Sequence, residues 1–510
     1  MAAVVAGRGT RKAGGRMSAA EKNRQALLAL FGDDALVSKL SSTRIAVALP
    51  SANAPASAAL LAKVLVDALA RFWPNIDFVG EIAESLLVVG HDAAKAGTAP
   101  VDCMKLGWAP PYDMVVSVGG PPPDTKSPCI QVGADGWRVQ FGEGAICGSS
   151  MNPVGPAFAA GLAAAQVFAH CFSAALEGSG LRPLGDWSAD ARDLFKAPQL
   201  ELRAFHLQDT HVFGVGAVTH AMAWMIENWP EPISGELHLV DSDKYGDGNG
   251  QRYAFMKASN IGTSKVTAVA ERLTAAHPLL NAVSYNSGLN DYCEERGYDQ
   301  PFFRIIAGLD SEESRRHAGL KDPARAINMW TSGYYIGAGQ YVPGDGRGCL
   351  VCAYPEPVEA QLDEVTLFHR QTGLFPDVVR ELLDSARGLT EAEARKVSQA
   401  KGAPIERIIG EPLRSVIPVL CATGKLPLDE AKKAVDVPFA FSSLLSGVAG
   451  FIMLLRDVQI GNDTSECWNQ HVFKKPSPAM IKVEGRHIRC VRCDAATLAS
   501  SDPDNIAQQD

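Results

Sequence analysis

The stretch from Phe213 to Lys265 holds a glycine turn, a strand ending in acids, and then an amide and two bases in order (FGVGAVTH, GELHLVDSDKYGDGNGQRY, KASNIGTSK). Gly214-Val215-Gly216-Ala217-Val218-Thr219 follows a strand pattern and opens a helix pattern, the setting in which backbone N–H groups approach a phosphate. Its third glycine position is Thr219, which predicts slightly looser packing of helix on strand. Asp241 and Asp243 end the next strand, where an acid meets a ribose hydroxyl. Asn249, Arg252 and Lys265 follow. Arginine offers planar two-point contact to phosphate and lysine a point charge. A redox dinucleotide site has little use for these bases, whereas an enzyme reacting at the α-phosphate of ATP does. Asp310 ends the strand pattern FFRIIAGLD and could hold Mg²⁺ on the phosphates. Taken singly, each reads as a surface residue; the ordered set is the signal.

The cysteines offer two further chemistries. Cys349 and Cys352 form one Cys-x-x-Cys pair, and Cys490 and Cys493 another. Four thiolates in tetrahedral array suit structural Zn²⁺, provided the fold brings the pairs together; two unrelated buried pairs are the alternative. Cys421, in VIPVLCATGKLP, is flanked by Arg414, Thr423 and Lys425. A thioester-forming cysteine must be exposed, near positive charge and free of metal. A buried structural thiol is the competing reading, and Cys467 in SECWNQH is the second candidate nucleophile. Cys103, Cys129, Cys147, Cys171 and Cys293 sit in apolar or strand contexts and read as structural.

The elements that must position these residues are those of an α/β protein. Residues 18–40 carry apolar positions at helical spacing, and Arg44–Pro50 reads as a buried strand. ASAALLAKVLVDALARF reads as a helix, Asp113–Gly120 as a second buried strand, and Cys129–Gly142 as a hairpin turning at Ala134-Asp135-Gly136. Residues 152–172 form an Ala-rich helix pattern. In this unit, 18–195, the first strand is followed by Ser51-Ala52-Asn53-Ala54, so the phosphate cradle is missing. A second unit spans 205–357 and resumes over 413–495, with a polar, helix-patterned insertion at 358–412. Residues 1–17 read as a disordered leader, or as an extension upstream of a start at Met17, and 496–510 as a disordered tail. Pro438–Leu455 carries no charge and is long enough to be weighed as a membrane span. Its three serines, its two glycines and the adjoining Arg456-Asp457 favour a buried helix. A formal net charge of -9 without a long basic tract speaks against nucleic acid as main partner. Eleven cysteines without a secretory segment point to a reducing, cytoplasmic setting.

On these residues the chain resembles the ThiF-type adenylation family, which includes ubiquitin-activating enzymes and the adenylyltransferases of sulfur-carrier proteins. Asp243 and Arg252 lie nine residues apart and Arg252 and Lys265 thirteen, as in that family, with Asn249 and Gly262 in register. The family's Asp-Asn is here Asp310-Ser311, and Arg315 stands where the family often carries an arginine. The resemblance implies that Asp241 and Asp243 hold the ribose and reacting region, that Asn249, Arg252 and Lys265 hold phosphates, and that Asp310 holds Mg²⁺. Lys22–Val47 is similar to the family's opening helix and strand, with Asn23-Arg24-Gln25 in place. It implies that Arg24 reaches across an interface to the ATP; a solvated helix residue is the plainer reading. The implied architecture is two Rossmann-like adenylation domains, one inactive, forming a pseudo-dimer within one chain, with or without further homo-oligomerisation. The cysteine pairs resemble the family's zinc site. The context of Cys421 resembles the catalytic cysteines of both branches. The activity expected is ATP-dependent adenylation of a ubiquitin-like protein, thioester formation on Cys421 and transfer to a conjugating enzyme, as in bacterial ubiquitin-like operons tied to phage defence. A sulfur-carrier adenylyltransferase is the nearest alternative, an NAD-dependent oxidoreductase a more distant one, and a non-catalytic scaffold that keeps the fold the last.

Overall fold

Each half of the chain forms a mostly parallel sheet, built in the first half around the aliphatic run Arg44–Leu49 and in the second around Phe205–Phe213, whose C-terminal half is buried. The computed structural model describes residues 18–31, 35–49, 54–80, 82–97, 104–123, 126–176, 184–297, 300–355, 439–461, 463–487, 490 and 492–493. It also describes parts of 365–416, namely 365, 368–369, 372–385, 387–401, 405–413 and 416. The first sheet contains β1 (Arg44–Leu49), β2 (Asn75–Gly80), β3 (Lys105–Leu106), β4 (Met114–Val118), β5 (Cys129–Asp135), β6 (Arg138–Phe141) and β7 (Trp187–Asp190), in the order β3-β2-β1-β4-β5-β6-β7. The second contains β8 (Phe205–Phe213), β9 (Ile233–Val240), β10 (Leu280–Tyr285), β11 (Arg304–Ala307), β12 (Arg325–Ser332), β13 (Tyr335–Tyr341), β14 (Glu466–His471) and β15 (Ile481–Val483). Its order is β10-β9-β8-β11-β12-β13-β14-β15.

The two orders are the same over their parallel parts. The first strand is central, the second and third lie to one side and the fourth and fifth to the other, and antiparallel strands complete one edge. This is the doubly wound arrangement, in which ligands bind at the carboxyl ends of the strands where the order reverses. The sequences of the two halves do not betray the repeat, because it is one of topology and not of residues.

The helices of the first half are α1 (Ala19–Phe31), α2 (Ala35–Ser42), α3 (Ala56–Ala70), α4 (Ala83–Ala96), α5 (Val154–Cys171) and α6 (Ala191–Leu194). Those of the second include α7 (Ala217–Glu227), α8 (Lys265–Ala276), α9 (Leu289–Arg296) and α10 (Glu312–Gly319). The uncharged segment forms the helix Ala440–Leu455, buried at every position and packed on α5, α7, β12 and β13. Val154–Cys171 and Ala440–Ile460 are long and apolar enough to cross a membrane, yet 89% and 94% of their apolar windows are buried inside the protein. One apolar cluster runs through both sheets, from Ala26 and Leu27 to Trp468 and Ile481.

Residues 355–434 form a separate unit. Its helices Pro376–Ser385 and Glu391–Lys401 pack a small core that includes Phe368, Val379, Leu382, Val397, Leu413 and Val416. The insertion therefore runs past 412. The apolar pattern returning at Leu413 serves this small core and does not resume the second α/β half.

Where the apolar helix ends, a charged network ties it to the second sheet. Asp457 accepts from Arg304 Nε at 2.5 Å and from Arg325 at 2.7 Å, and Arg304 also donates to Thr210 at 2.9 Å. The Asp457 side chain is fully buried. Removing one member of a buried pair leaves an uncompensated charge and costs about 3–5 kcal/mol. Asp457→Ala is expected to lower stability by that amount, read as a shift of the denaturant midpoint, while Asp463→Ala, at the exposed arm of Arg325, changes it by less than about 1 kcal/mol.

Candidate nucleotide site

The turn after β8 needs a glycine, since Gly214 has φ +85° and a Cβ there would meet the Gly308 carbonyl at 2.8 Å. Thr219 does not loosen the packing. It is fully buried, and its hydroxyl donates to the Gly214 carbonyl at 2.7 Å. His220 fixes the other side of the turn. Its Nδ1 donates to the Gly216 carbonyl at 2.8 Å, which leaves Nε2 to accept from the Tyr245 hydroxyl at 2.5 Å. Burial, only partly opposed by the Gly216 contact, holds the His220 pKa down to about 3, so this ring is neutral.

The residues that the sequence singled out surround one cavity of about 460 Å³ at the carboxyl ends of the β8, β9 and β11 strands. Gly214, Gly216, Asp241, Asp243, Asn249, Arg252, Lys265 and Asp310 all line it. The size suits a small-molecule ligand. Asp241 accepts from Val215 N–H at 2.7 Å and from Asp243 N–H at 2.8 Å, which locks the acid to the glycine turn. The Asn249 side chain accepts from Gly246 N–H at 2.7 Å and so shapes the loop that carries Arg252. Lys265 opens α8, is 4% exposed and reaches Asp243 at 2.8 Å. Burial works against its ammonium, but Tyr253, Asp241 and Asp243 outweigh it and raise the pKa, so the charge is secure. Asp310 is exposed, and its carboxylate has the oxygen chemistry that Mg²⁺ takes. Arg315 also lines the cavity, with its guanidinium held from behind: it is buried and donates to Asn328 at 2.5 Å, to the Met329 carbonyl at 2.6 Å and to the Leu309 carbonyl. It braces the chain beside Asp310.

Arg24 is not among the residues lining the cavity, and it lies 3.6 Å from Glu21. On the same helix Lys22 has its pKa pushed down, by burial first and then by the charges of Arg252 and Lys265. Tyr253, Ser287, Thr331 and Ser443 also line the cavity without a motif to announce them.

The cysteine pairs do converge. Gly348 N–H donates to the Glu484 carbonyl at 3.0 Å, drawing the C-terminal segment onto the first pair. Cys349 Sγ lies 3.9 Å from Cys352 Sγ and 3.6 Å from Cys490 Sγ, and Cys352 Sγ lies 3.6 Å from Cys493 Sγ. A tetrahedral Zn²⁺ with bonds of about 2.3 Å separates its sulfurs by about 3.8 Å, so the four thiols fit that ion.

Cys421 lies outside the described residues, as do Arg414, Thr423 and Lys425. Cys467 sits in β14, where burial pushes its thiol up to about 12, a poor nucleophile. Of the remaining cysteines Cys103 is also outside the described residues, while burial raises Cys129, Cys147, Cys171 and Cys293.

A second gathering of polar groups, Asp209, His211 and His238, lies outside the cavity. The two rings stack at 4.5 Å with their planes 10° apart, so in this arrangement one ion cannot lie in both ring planes. Arg296 also occupies the Asp209 carboxylate at 3.0 Å. This is an ion-pair cluster, with burial holding the His211 pKa down to about 4.

The glycine turn, the acids at the end of β9 and the bases that follow line one crevice at the carboxyl ends of a doubly wound sheet, the class of site in which such folds take their ligands. Residues 47–185 match the family model of the BilD N-terminal domain. The chain is 31% identical over 349 residues to the uncharacterized protein y4jF of Sinorhizobium fredii (strain NBRC 101917 / NGR234), and spans 65% of that curated relative's length with 65% of its own. Solved structures of E. coli MccB are similar at a lower level. MccB alone gives a TM-score of 0.34 at 13% identity, over 60% of this chain and 68% of MccB. Its complex with ATP gives 0.33 at 13%, over 56% and 67%, and its complex with succinimide 0.34 at 13%, over 57% and 66%.

Two measurements check this geometry. Purified protein should carry one zinc per chain by elemental analysis, and Cys490→Ser should lose most of it, since three thiolates hold the ion more weakly than four. The neutral His220 sets a pH dependence. Its folded pKa lies below the unfolded value of about 6.5, so the unfolded chain takes up the proton first as pH falls. The wild type is therefore expected to lose stability from pH 6.5 down toward pH 3, by up to about 1.4 kcal/mol per pH unit from this group. His220→Gln should show a shallower acid limb in denaturant titrations.

Proposed function

We propose that this chain activates the C-terminal carboxylate of a ubiquitin-like protein with ATP. The observation that carries this reading is the convergence of Arg252 and Lys265 on one crevice with Asp241, Asp243 and Asp310. Arg252 offers two-point contact and Lys265 a point charge, which together suit the phosphates of a triphosphate. A carboxylate oxygen of the carrier protein attacks the α-phosphorus, the bond to the bridging oxygen breaks, and pyrophosphate leaves. The product is an acyl-adenylate. Arg252 and Lys265, with Asn249 shaping their loop, orient the phosphates and offset the charge that moves onto pyrophosphate. Asp310 would hold Mg²⁺, which screens the phosphate charge when bound.

In this reading Cys421 then attacks the acyl carbon as thiolate, AMP leaves, and the thioester passes to a conjugating enzyme. Support for that step comes from the sequence around Cys421. The resemblance to the ThiF-type family supports the ubiquitin-like branch and, through bacterial ubiquitin-like operons, a role in phage defence; residues 47–185 match the BilD N-terminal domain. The equal strand orders of the two sheets support a pseudo-dimer in which the first half has lost its phosphate turn. Zn²⁺ on the four cysteines would be structural. A sulfur-carrier adenylyltransferase shares the first step and ends in a thiocarboxylate.

ATP–pyrophosphate exchange with small carrier proteins encoded nearby tests the reading. Exchange is expected with the wild type and should fall at least about 100-fold in Arg252→Ala, the scale of one lost transition-state donor. A thiol-sensitive adduct absent from Cys421→Ala places the enzyme in the conjugating branch. Nicotinamide binding without exchange would overturn the proposal.

A further inference from the structure

The loop that carries Arg252 is gripped from the other half of the molecule. Arg71 caps the C-terminus of α3 and is 0% exposed. Its guanidinium forms a two-point pair with Asp67, at 3.1 and 2.7 Å. The remaining N–H groups donate to the Gly250 carbonyl at 2.7 Å and to the Met256 carbonyl at 3.1 Å. Asp67 accepts in turn from Phe255 N–H at 3.1 Å. Phe255 sits at φ +56°, a backbone region that bulky residues avoid, so its conformation has to be held from outside. Gly250 is pressed against α4, where a Cβ would lie 1.7 Å from the Ala96 carbonyl. Three backbone points on either side of Arg252 are thus tied to one buried ion pair. The same arginine's carbonyl accepts from Asn23 Nδ2 at 2.9 Å, which anchors α1 one residue from Lys22.

We infer that Arg71, held by Asp67, is a positioning residue for the nucleotide site: it sets the Gly250–Met256 loop so that Arg252 faces the ligand, and through Asn23 it anchors α1 beside that loop. The inference rests on the proposed ATP site, and it assigns the half without a phosphate turn a defined task there. Lysine at 71 can keep the charge opposite Asp67 but cannot reach the carboxylate and two carbonyls at once.

The test compares wild type, Arg71→Lys and Asp67→Asn in the full-length chain. Two readouts are taken: Mg·ATP affinity by calorimetry, and hydrogen exchange of peptides covering residues 246–257, with exchange in α5 as an internal control. Arg71→Lys is expected to weaken ATP binding about tenfold, the scale of one lost charge-assisted hydrogen bond. Loop exchange should speed up at least about tenfold, with α5 unchanged. A loss of protection spread equally over α5 and the loop would mark a general structural role and overturn the inference, as would wild-type affinity with wild-type loop exchange. Should Arg71→Lys fail to fold, Asp67→Asn, which loosens the grip without removing the arginine, is held to the same two outcomes. Absence of ATP binding by the wild type itself sinks the nucleotide reading, and loop exchange then decides the clamp alone.

Discussion

Burial of the helix Ala440–Leu455 is the constraint on which the remainder of the molecule depends. Sixteen consecutive residues without a charge have to leave water, and each large side chain contributes about 1.5–3 kcal/mol when fully buried. A single sheet face cannot cover a helix that is apolar all round. The two α/β halves close over it, with α5 from the first and α7 from the second on its flanks. Because both halves share this core, loops at their border can be tied from either side. The same helix brings Ser443 to the wall of the nucleotide cavity.

Charge is handled by pairing at the edges of that core. Asp457 joins the helix end to two strands, and Asp67 with Arg71 joins the halves beside the site. Neither pair is a gain taken alone, since desolvation offsets much of the attraction. Their value is geometric. A fork of N–H donors directed at backbone carbonyls sets a loop more tightly than apolar packing does. Around the cavity the arrangement is looser: Arg252 and Lys265 share the wall with Asp241 and Asp243, and only Lys265 is paired, to Asp243 at 2.8 Å, among the described residues.

The parts of the site legible in the sequence were those fixed by short spacing on adjacent elements. The interval from Asp243 through Arg252 to Lys265 sits on one strand end, one loop and one helix start, so sequence order carries over to space. The strand Arg44–Leu49 was legible because a buried parallel strand is a near-continuous aliphatic run. Arg24, given by a motif on α1, is not among the residues lining the cavity, and a motif without its docking partner does not reveal helical phase. The Asp67–Arg71 pair was invisible for a different reason. It reads as an ordinary i, i+4 pair on a helix, and its importance arises from a loop nearly 180 residues further on. The repeat of strand order was hidden because topology survives while residue identity drifts.

The second sheet is discontinuous in the chain. Its strand β13 ends at Tyr341, whereas β14 and β15 and the apolar helix come after the separate unit at 355–434. During synthesis the first half leaves the ribosome with its helix-binding faces open. At about 5–20 residues per second, the roughly hundred residues from 355 to 455 take about 5–20 s to appear. For that interval α5 and α7 expose apolar surface that later becomes the centre of the protein. Maturation is therefore governed by the order in which segments emerge, and a chain truncated anywhere before Leu455 lacks the element that joins its halves.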